Sequence, residues 1–213
     1  MESKTLATIE GYSAASLQIS LVLCAVGAAA YGGTVKRSGA QTSPGSTRSR
    51  LGERDRRRAI ARIALYVACA AGLVHGASSL YWAFGGRWLL PTVGEWAVAV
   101  VETSPLQAGA LLGVIGIIKV AAAVIPVGVE FGRIRWARFW RVVCWVSGLF
   151  LIAYGGLNAI VSGAVLAGLT RPDGGYDIEA MIGHALLWDP LFFAWGVALV
   201  TWLGLTRRRR GAD

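Results

Sequence analysis

Five apolar runs, at about Ala14 to Gly33, Ile63 to Phe84, Gln107 to Gly128, Val142 to Leu169 and Met181 to Thr206, dominate this chain of 213 residues. A hydrocarbon core about 30 Å thick needs about 20 residues of helix at 1.5 Å per residue, and each run meets that length. Exposed to water, such runs would leave too little polar surface to coat a globule, because 55% of the residues are hydrophobic and only 15% are charged. The sequence therefore predicts an all-α integral membrane bundle of about five transmembrane helices in the cell membrane, with no length left for a separate soluble domain.

The formal net charge of +9 raises nucleic acid as a partner, but the charge distribution argues against it. Nine Lys and Arg lie between Lys36 and Arg62, four between Arg133 and Arg141, and four at Arg207 to Arg210. That pattern is what membrane orientation produces. With all three stretches cytoplasmic, an odd number of spans puts the N-terminus outside and the C-terminus inside. The outer connections then carry Glu95, Glu102, Asp173, Asp177 and Glu179 against only Arg87 and Arg171. The first run admits a signal peptide as an alternative, since Ala28-Ala29-Ala30 resembles a small-residue cleavage site. Cleavage there, however, would strand the basic segment outside. The expected organisation is residues 1–62 as a first helix plus a basic cytoplasmic loop, disordered over Ser38 to Arg50; 63–206 as a four-helix core; and 207–213 as a basic tail. The arginines of that loop are expected to touch anionic headgroups.

Cys24, Cys69 and Cys144 sit in separate apolar runs with no CxxC pair and no nearby ligands, so neither thiol exchange nor a metal site is expected. Gly72-xxx-Gly76 and Gly109-xxx-Gly113 put small residues on one helix face, the arrangement that lets helices approach closely in lipid.

Polar groups inside hydrocarbon cost about 2.5 to 3.5 kcal/mol each on insertion scales, which makes the few that remain the functional candidates. Spacings of four and seven place Ser79 and Trp82 on the helix face of His75. Ser147, Tyr154, Asn158 and Ser162 form a weakly polar stripe on the fourth run, and the last run supplies His184, Trp188 and Asp189. With Gln107, these groups fall at similar depth and are expected to converge. A lone histidine in an apolar helix ordinarily serves only to bond a neighbouring helix. Lys119 is expected to snorkel toward the cytoplasmic headgroups on its long stem. Asp189-Pro190 reads as a helix N-cap followed by a proline at the first helical position, with Met181 to Trp188 a separate short helix or re-entrant turn. Trp88, Trp96, Trp136, Trp140 and Trp202 suit interfacial belts. Trp82, Trp145, Trp188 and Trp195, with Tyr81, Tyr154, Phe192 and Phe193, offer π faces that attract a cation by about 0.5 to 2 kcal/mol each.

The strings Ser79-Leu80-Tyr81-Trp82-Ala83-Phe84-Gly85-Gly86-Arg87-Trp88, Tyr154-Gly155-Gly156-Leu157-Asn158 and Gly183-His184-Ala185-Leu186-Leu187-Trp188-Asp189-Pro190-Leu191-Phe192 resemble a family of small actinobacterial multipass membrane proteins of unknown function, over about residues 60 to 206. That resemblance implies a membrane bundle. In size and aromatic content the chain is also similar to the membrane-embedded terpene cyclases of drimentine-type pathways in secondary metabolism. That similarity implies protonation of a prenyl alkene or epoxide by an acid and stabilisation of the resulting cation by aromatic faces. The function expected from the residues and this similarity is a terpene cyclase, an isomerase needing no metal or other cofactor and acting on a lipophilic prenylated small molecule within the lipid bilayer. Asp189 is the expected acid, with His184 and His75 tuning it, and Tyr81, Trp82, Tyr154, Asn158, Trp188, Phe192 and Trp195 lining the substrate. Glu102 and Glu95 are the reserve acids. The alternative is a non-enzymatic membrane protein, such as a small transporter subunit, a lipid-binding protein or an accessory protein, in which the same residues pack helices. The sequence leaves oligomeric state open.

Overall fold

A computed structural model describes residues 45–207, and every regular element among them is helical. Helix α1, Gly45–Ala83, has 39 residues and a length of roughly 58 Å at 1.5 Å per residue. A 3₁₀ turn at Pro91–Val93 and the short helix α2, Glu95–Thr103, lead into α3, Pro105–Glu130. Helix α4, Ala137–Leu166, is followed by α5, Ile178–Gly183, a π turn at His184–Trp188, and α6, Asp189–Leu205. Four stretches, Gly52–Ala83, Pro105–Glu130, Ala137–Leu166 and Ile178–Leu205, are long and apolar enough to cross a membrane. They coincide with four of the five expected runs. The fifth, Ala14 to Gly33, lies outside the described residues.

The basic segment requires a correction. Residues 45–50, expected within a disordered loop, belong to α1. Extending an existing helix fixes one residue per new hydrogen bond, and the good helix formers from Leu51 onward provide the helix to extend. The helix then continues through Arg62 and Ile63 without a break.

Helix α1 packs against α3 on one side and α6 on the other, and α4 packs against the far side of α6. These contacts depend on missing side chains. A Cβ on Gly72 would stand 2.7 Å from the Ala123 Cβ, and one on Gly155 would stand 2.5 Å from the carbonyl oxygen of Asp189. The core runs along α1 and α6 through Leu65, Ala68, Trp195, Leu199, Trp202 and Leu203. A second cluster of Trp82, Leu90, Ala97, Val101, Ala108 and Trp188 seals the opposite end, where α2 lies over the bundle. Trp88 and Trp136 are exposed, as interfacial rings require, but Trp202 is not a belt residue. It is fully buried, and its Nε1 donates to Glu130 Oε2 at 2.9 Å.

Candidate functional site

Asp189 is not a helix cap. Gly183, His184, Trp188 and Asp189 all have right-handed helical backbones, so the chain runs unbroken from α5 through the π turn into α6. The cap of this segment is Asp177, whose extended backbone precedes α5 and whose Oδ1 accepts from Ala180 N at 3.0 Å. Pro190 cannot donate to a carbonyl four residues earlier, and the wider π turn accommodates that lost bond and the ring. The same turn brings residues five apart into register. His184 Nδ1 thus meets Asp189 Oδ2 at 2.8 Å.

The Asp189 side chain is 1% exposed while that of His184 is 28% exposed, so the pair links a buried carboxyl to the rim of the bundle. One proton occupies the 2.8 Å contact in either of two arrangements: the imidazole N–H donates to the carboxylate, or the carboxylic O–H donates to the ring nitrogen. On its other side the His184 ring faces Val93 O at 3.4 Å, a distance that leaves Asp189 as its principal partner. Asp189 Oδ1 is buried with no hydrogen-bond partner among the described residues. Such an oxygen is costly in a structural role, because a buried polar group without a partner forfeits its hydration.

His75, Ser79 and Trp82 share one buried face of α1, as their spacing requires. His75 Nε2 donates to Trp188 O at 3.1 Å, and its ring stacks on Phe192 with centroids 3.7 Å apart. Around this stack stand Trp188, 5.6 Å from His75 and edge-on to Trp82 at 5.3 Å, and Tyr154, edge-on to Phe192 at 5.9 Å. Trp195 stacks beyond Phe192 at 6.5 Å, and its buried Nε1 is the second orphaned polar atom among the described residues. Trp188 Nε1 donates to Thr92 Oγ1 at 3.0 Å, which ties the π turn to the 3₁₀ turn.

Of the expected site residues, His75, His184, Asp189, Trp82, Tyr154, Trp188, Phe192 and Trp195 are brought together. Tyr81 is half exposed and packs over Gly86. Asn158 donates to Tyr154 O within its own helix at 2.9 Å, and Gln107 is exposed, so none of these three converges on the centre. The reserve acids also lie elsewhere: Glu102 pairs with Arg87 in an exposed bridge of 3.1 Å, and Glu95 is exposed. Cys69 and Cys144 lie on different helices and are free.

Two participants were not expected from the sequence. Lys119 does not snorkel: its Nζ turns inward, donating to Ser79 Oγ at 3.2 Å and standing 5.4 Å from the centre of the Phe192 ring. A neutral hydroxyl and a π face thus replace the headgroups, and helical phase sets the direction because Gly116 and Val120 hold that side of α3 against Gly76 of α1. Thr92 was hidden in a connection without periodicity. The centre holds a shareable proton, an unpartnered carboxyl oxygen and several aromatic faces. No group of three or more His, Cys, Asp or Glu placed to hold a metal ion occurs among the described residues.

No curated protein and no solved structure matches the chain. Residues 72–199, which include every element of this centre, match the family described as "Protein of unknown function (DUF3995)". That match spans more than half of the 213 residues, and the chain belongs to this family.

Proposed function

We propose that the chain is a membrane-embedded isomerase of the terpene-cyclase kind, which cyclises the prenyl chain of a lipophilic substrate by protonating it from Asp189. The observation that carries this function is the asymmetric state of one carboxyl group: Oδ2 bound to the partly exposed His184, Oδ1 buried and unpartnered. An acid so placed delivers a proton away from water, and the histidine reloads it from the rim. The proton forms a C–H bond at one alkene carbon and leaves a cation at its neighbour. A second alkene closes the ring by forming a C–C bond, and transfer of a proton from an adjacent carbon to the Asp189 carboxylate restores neutrality without changing composition. The rings of Tyr154 and Trp188 are the faces that stabilise the cation, while Phe192, one turn beyond Asp189, is stacked on His75 and backs them. The chain then lies in the cell membrane as a multipass protein, with its arginine-rich end cytoplasmic.

The test is expression of the chain with prenylated candidate substrates, followed by mass spectrometry for a new product of unchanged mass. The same reaction in D₂O must add one deuteron per molecule cyclised. A product of altered composition, or an isomer formed without deuterium, contradicts the mechanism.

One observation favours the non-enzymatic alternative, a membrane protein in which these groups only pack helices. The Lys119 ammonium lies over Phe192, where its charge opposes a substrate cation. Lys119→Met separates the two functions: it leaves a packing role intact and raises turnover of a cyclase, because it removes a positive charge beside the developing cation.

A further inference from the structure

Positive charge is concentrated at one end of the bundle, and part of it has no counterpart among the described residues. Ala61, Leu65, Val129 and Leu203 belong to one core cluster, so the arginines of α1, the connection 131–136 and the end of α6 share that end. In the connection and the first turn of α4, Arg133, Arg135 and Arg138 are all exposed. Glu130, the nearest acid in sequence, is turned inward to Trp202 Nε1 at 2.9 Å. Arg141 is turned inward too, donating to Thr206 Oγ1 at 2.8 Å and lying 5.0 Å over the Trp202 ring. The ion pairs among the described residues, Arg87–Glu102 and His184–Asp189, involve none of the three exposed arginines.

Between them stands Trp136, 77% exposed, with a left-handed backbone at φ 60° and ψ 43°. Its side chain makes no hydrogen bond or ring contact among the described residues. A bulky residue in that backbone region is uncommon, and burial within the protein does not account for it. Phe131, at the other end of the connection, is 51% exposed. Indoles collect where hydrocarbon meets headgroups, and the planar fork of arginine matches phosphate oxygens two at a time.

We propose that the connection 131–138 is a binding site for the phosphate of anionic phospholipid headgroups, held by Arg133, Arg135 and Arg138 with the Trp136 indole beside it at the depth of the glycerol. Exposed aromatic rings set directly at the ends of two apolar spans fit a lipid surface better than a nucleic acid, which presents no hydrocarbon. Arg54, Arg56 and Arg57 on α1 provide the internal comparison, because they are interspersed with Glu53 and Asp55 and project past the packed core.

The experiment uses the full chain in nanodiscs of phosphatidylcholine and phosphatidylglycerol in equal amounts, with native mass spectrometry of the lipids retained on release. Wild type retains phosphatidylglycerol in preference, and the triple variant Arg133→Gln, Arg135→Gln, Arg138→Gln loses that preference by about tenfold or more. The triple variant Arg54→Gln, Arg56→Gln, Arg57→Gln stays close to wild type. Phosphatidylglycerol brominated in its acyl chains quenches wild-type fluorescence more than that of Trp136→Phe, and the difference is the Trp136 signal. An unchanged preference in the first triple, equal losses in both triples, or no quenching assignable to Trp136 overturns the proposal. The substituted side chains are exposed, so matching thermal unfolding of all variants excludes misfolding as the cause.

Discussion

Helix α6 carries an acid-and-ring cluster near each end, and the two are built to opposite standards. At the arginine-rich end, Trp202 Nε1 is satisfied by Glu130, Arg141 reaches Leu203 O at 3.2 Å and Thr206 Oγ1 at 2.8 Å, and the guanidinium covers the indole. At the other end, Asp189 leaves Oδ1 unpartnered and Trp195 leaves Nε1 unpartnered, although both side chains are almost completely buried. Buried polar groups are paired as a rule, and the first cluster follows that rule. The second departs from it where a π turn, two histidines and an inward-turned lysine also gather. The contrast separates a polar cluster that locks helices from one that leaves a buried carboxyl oxygen and an indole N–H unpartnered, the state the proposed proton donor needs.

The largest effect that breaks or keeps this contrast is on turnover. Asp189→Asn preserves the shape of the side chain but has no acidic proton, and it lowers cyclisation by about 10²–10⁴-fold. Glu130→Gln, measured in the same assay, leaves it unchanged. The next effect concerns stability and points the other way. Trp202→Ala empties the interlocked cluster and destabilises the purified protein by about 3–5 kcal/mol in reversible denaturation. Smaller again is Gly155→Ala, which forces a methyl toward the carbonyl of Asp189 and costs about 1–3 kcal/mol, detected as a lower thermal midpoint. The smallest effect is that of Asp189→Leu. A capping aspartate would lose about 0.5–2 kcal/mol here, whereas Leu removes the orphaned Oδ1 together with the bond to His184, whose part-exposed ring turns to water as a neutral imidazole, so stability stays within about 1 kcal/mol of wild type. A clear loss in denaturant titration would restore Asp189 to a structural role.

Sequence reasoning found what periodicity and spacing encode. His75, Ser79 and Trp82 share a face because turns of 3.6 residues align them, and four of the apolar runs mark the helices long and apolar enough to cross a membrane. It misread what depends on partners distant in the chain. Asp-Pro is locally an N-terminal signal, and nothing in it reveals a π turn that aligns His184 with Asp189. Asp177 carried the same capping chemistry twelve residues earlier, and its position just before α5 is the signal that was available. Lys119 lies in a run apolar on all sides, so the sequence gives no face for it to avoid. Its direction is set by the close approach of Gly76 and Gly116. Trp202 resembles a belt residue until Glu130 is folded against it.

The central claim, that the proton of Asp189 is used in chemistry, is tested most directly by single-turnover reaction in D₂O with wild type and Asp189→Asn side by side, read by mass spectrometry of substrate and product. The account predicts a cyclised product carrying one deuteron from wild type and none from Asp189→Asn, with the variant still binding substrate and unfolding at the wild-type temperature. An Asp189→Asn protein that forms the same deuterated product at the wild-type rate would contradict it.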